Sequence, residues 1–399
     1  MCSERTGDLA AFKGILHKNK ETIMPTLTFF HLGNADSCRI DLDTGEKLLL
    51  DYGNQRDPDN PEDLRCDLPA ELRKDLKKTK RDYFDVVAFT HLDKDHYQRA
   101  TEFFYLEHAK KYQDGDRVKI KTLWVPAAVI IETGVEDLEG KVLQAEARYR
   151  LKKGKGIRVF SRPEKLKKWL EDNDLKLEDR EHLITDAGRT VPEFTLAKHA
   201  VEFFVHCPFA KRINEDEVED RNSDSLVLQA TFVCEKTETK VIYSADVGYE
   251  ILSDIVEVTR SRNNHHRLEW DVIKLLHHCS YLSLGPEKGS DKTTPVPNVA
   301  WLYEKQGQKG GIIVSTSKPI PQKGSEEDKN SDSPHRQAAN YYRERATKQD
   351  GEFKVTMEHP KPEKPAPLVI VIDGSKATVK KEHVIGAAVI TSRPAPRAG

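Results

Sequence analysis

Asp85 to His96 reads DVVAFTHLDKDH, and this stretch decides the fold. Val86-Val87-Ala88-Phe89 is a short, β-branched apolar run, which is the pattern of a buried strand. Directly after it come His91, Asp93, Asp95 and His96, all able to bind a metal ion. Side chains share a face every two residues or so in a strand and every three or four in a helix, so this cluster is too dense for either. A tight loop wrapped around a cation directs all of them inward. Open α/β sheets place their ligands beyond the carboxyl ends of strands, which is where this cluster falls.

Upstream of that loop, Leu27–Phe30, Ser37–Leu42 and Lys47–Leu50 read as strands, with a hairpin turn at Asp43-Thr44-Gly45. Gly33 and Gly53 mark sharp turns or close backbone approaches. Residues 54–82 are charged, contain Pro58, Pro61 and Pro69, and read as an insertion with one helix near Ala70–Lys80. Downstream, a helix is expected over Gln98–Lys111 and a strand over Lys121–Pro126. The highly charged stretch 133–190 is expected to hold amphipathic helices, with Ile157–Phe160 as a strand between them. It would form a cover for the site or a surface for a protein partner. Further strands are expected at Phe194–Ala197, Val201–Val205, Leu226–Phe232, Val241–Ser244, Asp271–Leu276, Gly311–Ser315 and Leu368–Ile372, and a helix from Pro334-His335 through Tyr342. These elements place one domain at about 25–385. Residues 1–24 then form an arm, 321–333 a polar, mobile loop and 386–399 a tail.

The 399 residues carry a formal net charge of −2, with 33% charged and 37% apolar residues. Bulk charge therefore excludes a basic nucleic-acid-binding protein, and any phosphate binding must come from a local patch or a metal. The Lys/Arg clusters at 74–81 and 150–168 read as solvated helix faces. No stretch approaches the roughly 20 apolar residues of a membrane span. Six scattered cysteines without a CxxC pair, and an amino terminus without an apolar centre, point to a reducing cytoplasm.

Several ordered segments carry a family resemblance. LTFFHLGNADSCRI (27–40) with LLLDYG (48–53), THLDKDH (90–96), LWVPA (123–127), VHCPF (205–209), NSDSLVL (222–228), VIYSADVG (241–248) and LLHHCS (275–280) follow one another along the chain. In this order they resemble the soluble metallo-β-lactamase-like domain of the ComEC competence family. The sequence departs from that pattern at Ala245 and Cys279, where the family has glycine, and at Tyr97-Gln98, where it often has two. The likeness implies a metallo-β-lactamase αββα sandwich interrupted by charged, largely helical insertions. It carries over a hydrolase domain only, not DNA import.

Each candidate ligand ends a strand, and strands of one sheet deliver their carboxyl ends to one edge. The resemblance implies two divalent metal ions. His91 and Asp93 would hold one, with His206 either joining them or packing behind. Asp95, His96 and one of His277 or His278 would hold the other, and Asp246 would bridge. Strand alternation points the paired histidines in opposite directions and leaves their choice open. Asp51 reads as a residue that supports the ligands. A ligand set rich in carboxylate favours Mn²⁺, with Zn²⁺ second.

Two such ions turn a shared water into a metal-bound hydroxide at neutral pH. Asp95 would be essential to that chemistry. Asn222, Ser225 and Ser280 would donate to a developing oxyanion, and His335, matching a late family histidine, would act as general acid or phosphate contact. The expected function is a metal-dependent phosphodiesterase or nuclease, acting on nucleic acid or a small phosphoester. The alternatives are a hydrolase of a small phosphoester, ester or lactone metabolite, and an inactive binding module.

Overall fold

A computed structural model describes residues 24–209 and 221–381. The expected tail, and the expected arm apart from Met24, lie outside the described residues.

The chain opens with β1 (Thr26–Phe29), β2 (Cys38–Asp41) and β3 (Lys47–Leu50), an antiparallel meander turned at Asp43-Thr44-Gly45. It then changes direction. β4 (Tyr83–Ala88), β5 (Lys119–Pro126), β6 (Ile157–Phe160) and β7 (Ile184–Thr185) follow in parallel from β3. Late in the chain β14 (Leu368–Asp373) and β15 (Lys376–Val379) return to the β1 edge and complete a nine-stranded sheet. The second sheet has six strands, β8 (Val201–Cys207), β9 (Val227–Cys234), β10 (Thr237–Ser244), β11 (Trp270–Lys274), β12 (Gly307–Ser315) and β13 (Glu352–Val355). Its strands β10 to β13 are parallel to one another.

The period-two alternation of these strands sorts their side chains into three apolar layers. Leu48 and Leu50 of β3, Val86 and Ala88 of β4, Val272 of β11, and Ile312 and Val314 of β12 meet between the two sheets. Leu49, Phe84 and Val87 point the other way, onto the helices Leu68–Lys78 and Leu138–Lys153. Ile273 and Ile313 face outward from the second sheet onto helices Tyr249–Ser261 and Arg336–Lys348. Helix, sheet, sheet, helix is the αββα layering expected of a metallo-β-lactamase-type fold. Among the described residues no helix is long and apolar enough to cross a membrane.

Several expectations change on folding. Both charged stretches expected as insertions help build an outer layer. Leu72 and Leu76 from 54–82 share one core cluster with Leu143, Ala147 and Leu151 from 133–190, and β6 and β7 extend the first sheet. The helix expected over Gln98–Lys111 shrinks to Ala100–Phe103. Arg99 is left-handed at φ +62°, Glu139 accepts from the backbone of Arg99 and Thr101, and Phe104 leaves to bridge Val118. No strand forms at Phe194–Ala197; His199 N bonds to Thr195 O within the short helix Leu196–His199. The 321–333 loop contains a helical turn, Glu326–Lys329, held by the Arg336–Asp328 ion pair at 3.2 Å.

Trp124 joins the sheets. It is fully buried, with edge-on contacts to Phe160, Phe194 and Phe203 at centroid distances of 5.5, 5.9 and 5.5 Å. Trp124→Ala removes that plug and is expected to cost about 3–5 kcal/mol of stability. Urea unfolding followed by circular dichroism measures it.

Candidate metal centre

The parallel strands of both sheets end on one rim, and the chain places chemistry there. β4 runs out at Ala88 and delivers the Thr90–His96 loop. The next turns build the helix Lys94–Tyr97, with His96 N bonded to Asp93 O at 2.9 Å. β10 ends two residues before Asp246, and β11 ends three before His277. The two halves are tied by Leu226 N donating to Thr90 O at 3.1 Å.

Asp95, His96, Asp246 and His278 each present a ligand atom within 4.8 Å of the others. His278 Nε2 lies 2.9 Å from Asp95 Oδ2 and 3.4 Å from Asp246 Oδ2, and His96 Nε2 lies 3.3 Å from that same Asp246 oxygen. The other ring nitrogen of each histidine is fixed from behind. Asp51 Oδ2 lies 2.8 Å from His96 Nδ1, and the Thr316 carbonyl 2.7 Å from His278 Nδ1. Those acceptors take the Nδ1–H and turn the Nε2 lone pairs toward the cluster. His96 Nε2 and the neighbouring His91 Nε2 are buried and meet no hydrogen-bond partner. Two imidazoles and two carboxylates with inward-facing ligand atoms, the His96 nitrogen among them unsatisfied, suit a divalent cation such as Mn²⁺ or Zn²⁺.

The electrostatics agree. Burial alone would lower the pKa of His96 and His278, but the surrounding carboxylates outweigh it. Asp51 and Asp246 hold His96 well above its ordinary value, and Asp246 foremost raises His278 to about 10. Asp246 is held well below the ordinary carboxylate value: burial opposes this, and His278 and His96 overcome it. The pocket therefore demands positive charge beside its carboxylates.

The choice between the paired histidines comes from a left-handed turn. His277, His278 and Cys279 have φ of +47°, +50° and +65°. Each non-glycine residue in such backbone costs about 1–2 kcal/mol, and the fully buried Cys279 anchors the turn in the outer core. The turn carries the His278 ring inward, whereas only the backbone N–H of His277 reaches Asp246, at 3.3 Å.

The other expected site residues have partners of their own. His206 is not brought to the cluster; its Nε2 bonds to Arg267 O at 2.8 Å and burial lowers its pKa to about 4. His91 is present, its ring 4.1 Å from that of His96, and its Nε2 lies 3.6 Å from Asp93 Oδ2. Asp93 is also engaged by Arg221 at 3.1 Å. Ser225 Oγ donates to Asn222 O at 2.7 Å, so that hydroxyl serves its own turn instead of a substrate. Ser280 Oγ accepts from Leu282 N at 3.2 Å. His335 opens the helix Arg336–Lys348 with both ring nitrogens occupied, Nε2 by Ser331 O at 3.0 Å and Nδ1 by Tyr281 N at 3.4 Å. His335 and Ser225 thus use these groups within the chain's own turns, whereas Ser280, as an acceptor, still carries its own hydroxyl hydrogen.

Three charged residues were missed. Asp36 and Lys274 form a fully buried ion pair beneath the cluster, with Lys274 Nζ 3.9 Å from Asp246 Oδ1. Arg221 reaches the loop from the turn that precedes β9. A lysine inside the apolar run Asp271–Leu276 was the available signal for the first pair; Arg221 has none.

No family model and no curated protein matches the chain. Among solved structures, a crystal structure of unliganded yeast PDE1 is 13% identical, covering 84% of this chain and 97% of that one at a TM-score of 0.41. A diphosphatase from the PhnP family is 11% identical, covering 73% and 85% at a TM-score of 0.27.

His278→Ala is expected to weaken Mn²⁺ or Zn²⁺ binding by about 100-fold or more, and His277→Ala by no more than about threefold; calorimetric titration of each variant decides. Gly53 lies against the loop so closely that an added Cβ would meet Asp95 O at 1.9 Å. Gly53→Ala should therefore cost about 1–3 kcal/mol and lower metal affinity, read by thermal melts with and without Mn²⁺.

Proposed function

We propose that this protein is a divalent-metal-dependent phosphodiesterase, with a nuclease activity as its polymer-cutting form. The observation that supports the reading most is the convergence of Asp95, His96, Asp246 and His278 at the rim shared by both sheets. A cation held by these four side chains would lower the pKa of a coordinated water and withdraw charge from a phosphoryl oxygen. Asp51 and the Thr316 carbonyl keep both imidazoles aimed, so little reorganisation is needed when the site loads. Buried Lys274 offsets part of the carboxylate charge of Asp36 and Asp246, which limits repulsion of an anionic substrate.

The donor set takes Mn²⁺ first and Zn²⁺ second in this reading, because half of its atoms are carboxylate oxygens. A second ion would have to draw on His91 and Asp93. Among the described residues Cys38, Cys66, Cys207, Cys234 and Cys279 form no disulfide, which supports a reducing, cytoplasmic setting.

Purified protein loaded with Mn²⁺, Mg²⁺ or Zn²⁺ is expected to cleave a chromogenic phosphodiester, single-stranded DNA or RNA, and Asp95→Ala should reduce that turnover to background. Turnover of carboxylic esters or lactones alone would replace the phosphodiesterase reading. Absence of metal-dependent turnover on every substrate would leave a binding module.

A further inference from the structure

The cluster is lopsided. Its four ligands gather on the Asp95 side of the loop, while the His91 and Asp93 side has another companion. Arg221 places Nη1 3.1 Å from Asp93 Oδ1, and its Nε and Nη2 lie 2.8 and 2.6 Å from Glu132 Oε1. Asp93 in turn lies 3.6 Å from His91 Nε2, and the His91 ring lies against that of His96, tilted by 53°. One imidazole therefore separates the guanidinium–carboxylate pair from the metal-binding group. His206, expected either to join this side as a ligand or to pack behind it, bonds to Arg267 O.

Arg221 is well placed for more than an internal ion pair. Its side chain is 32% exposed and that of Asp93 34%, so solvent reaches both. Glu132, with its side chain 10% exposed, grips the guanidinium from the other side and fixes its plane. A guanidinium has five N–H hydrogens in a rigid fork. The contacts to Asp93 and Glu132 leave hydrogens on Nη1 and Nη2 for a ligand. A planar, permanently charged fork matches two phosphoryl oxygens better than an ammonium does.

We propose that Arg221 is the phosphate-binding cation of this centre, filling the role that the family resemblance gives to a second metal ion. The centre then holds one divalent ion per chain, and the substrate class is a phosphoester with a free anionic oxygen to meet the guanidinium. This rests on the phosphodiesterase reading and names the contact through which that site recognises its substrate.

The test uses inorganic phosphate as the probe. Elemental analysis of the Mn²⁺- or Zn²⁺-loaded protein should give one ion per chain. Calorimetric titration with phosphate should show binding that weakens about tenfold or more in Arg221→Gln, a loss of about 1.4 kcal/mol, with the affinity for the metal ion unchanged. Arg221→Lys keeps the charge but loses the fork and should fall between them; thermal melts establish that each variant is folded, and the lysine variant decides if the glutamine one is not. Two ions per chain would overturn the proposal. So would a folded variant that binds phosphate as the wild type does, or one that loses the metal ion. Phosphate binding is read without turnover. A protein that binds phosphate through Arg221 yet cleaves nothing sinks the hydrolase reading alone, and an active enzyme indifferent to Arg221→Gln sinks this proposal alone.

Discussion

A single buried carboxylate holds the centre together. Asp51 leaves β3 in left-handed backbone, φ +62°, with its N–H on Ala88 O at 2.8 Å. Its Oδ1 accepts from Thr90 N, and its Oδ2 from Thr90 Oγ1 and His96 Nδ1, each at 2.8 Å. One side chain thus locks the end of β3 to the loop that follows β4 and sets the orientation of a metal-binding imidazole. A buried charge survives only when its lone pairs are satisfied, and here their satisfaction is also what aligns the site. The backbone reinforces the lock, with Tyr52 N on His96 O at 2.8 Å and Asp36 N on Asp95 O at 3.0 Å.

The cost of that arrangement is charge. Asp36, Asp51, Asp95 and Asp246 crowd one rim, and Lys274 is the buried ammonium that reaches Asp36 and Asp246 there. Uncompensated carboxylates repel one another strongly in a weakly screened interior. The three apolar layers supply the stability against which this local repulsion is held. A bound cation would relieve it, and folding and metal binding would then be coupled. The same logic explains the left-handed His277–Cys279 turn: strained backbone persists where packing over-determines it, and here it aims His278 at the cluster.

Much of the fold was legible locally. Leu48 to Leu50 and Val86 to Ala88 are short apolar runs bounded by turn residues, and their length and flanks mark them as buried strands. Asp95, His96 and Asp246 announced themselves because acidic and imidazole groups just past a buried strand have few other reasons to be there. What failed were readings that hinge on rotamers and partners. His206 ends its strand as expected, yet Arg267 O claims its ring. His335 sits near the rim, yet Ser331 and Tyr281 occupy it.

The sequence by itself determined where most of the strands lie along the chain and the loop that carries two of the four ligands, because period and turn chemistry act over a few residues; the layered architecture was implied by the family resemblance. Only the tertiary structure decided which histidine of the His277-His278 pair turns inward, that Asp36 and Lys274 pair beneath the cluster, and that Arg221 and Glu132 flank Asp93. Those contacts join residues 89 or more positions apart or depend on the hand of one turn. No local pattern encodes them; they appear when two sheets bring their carboxyl ends to a common rim.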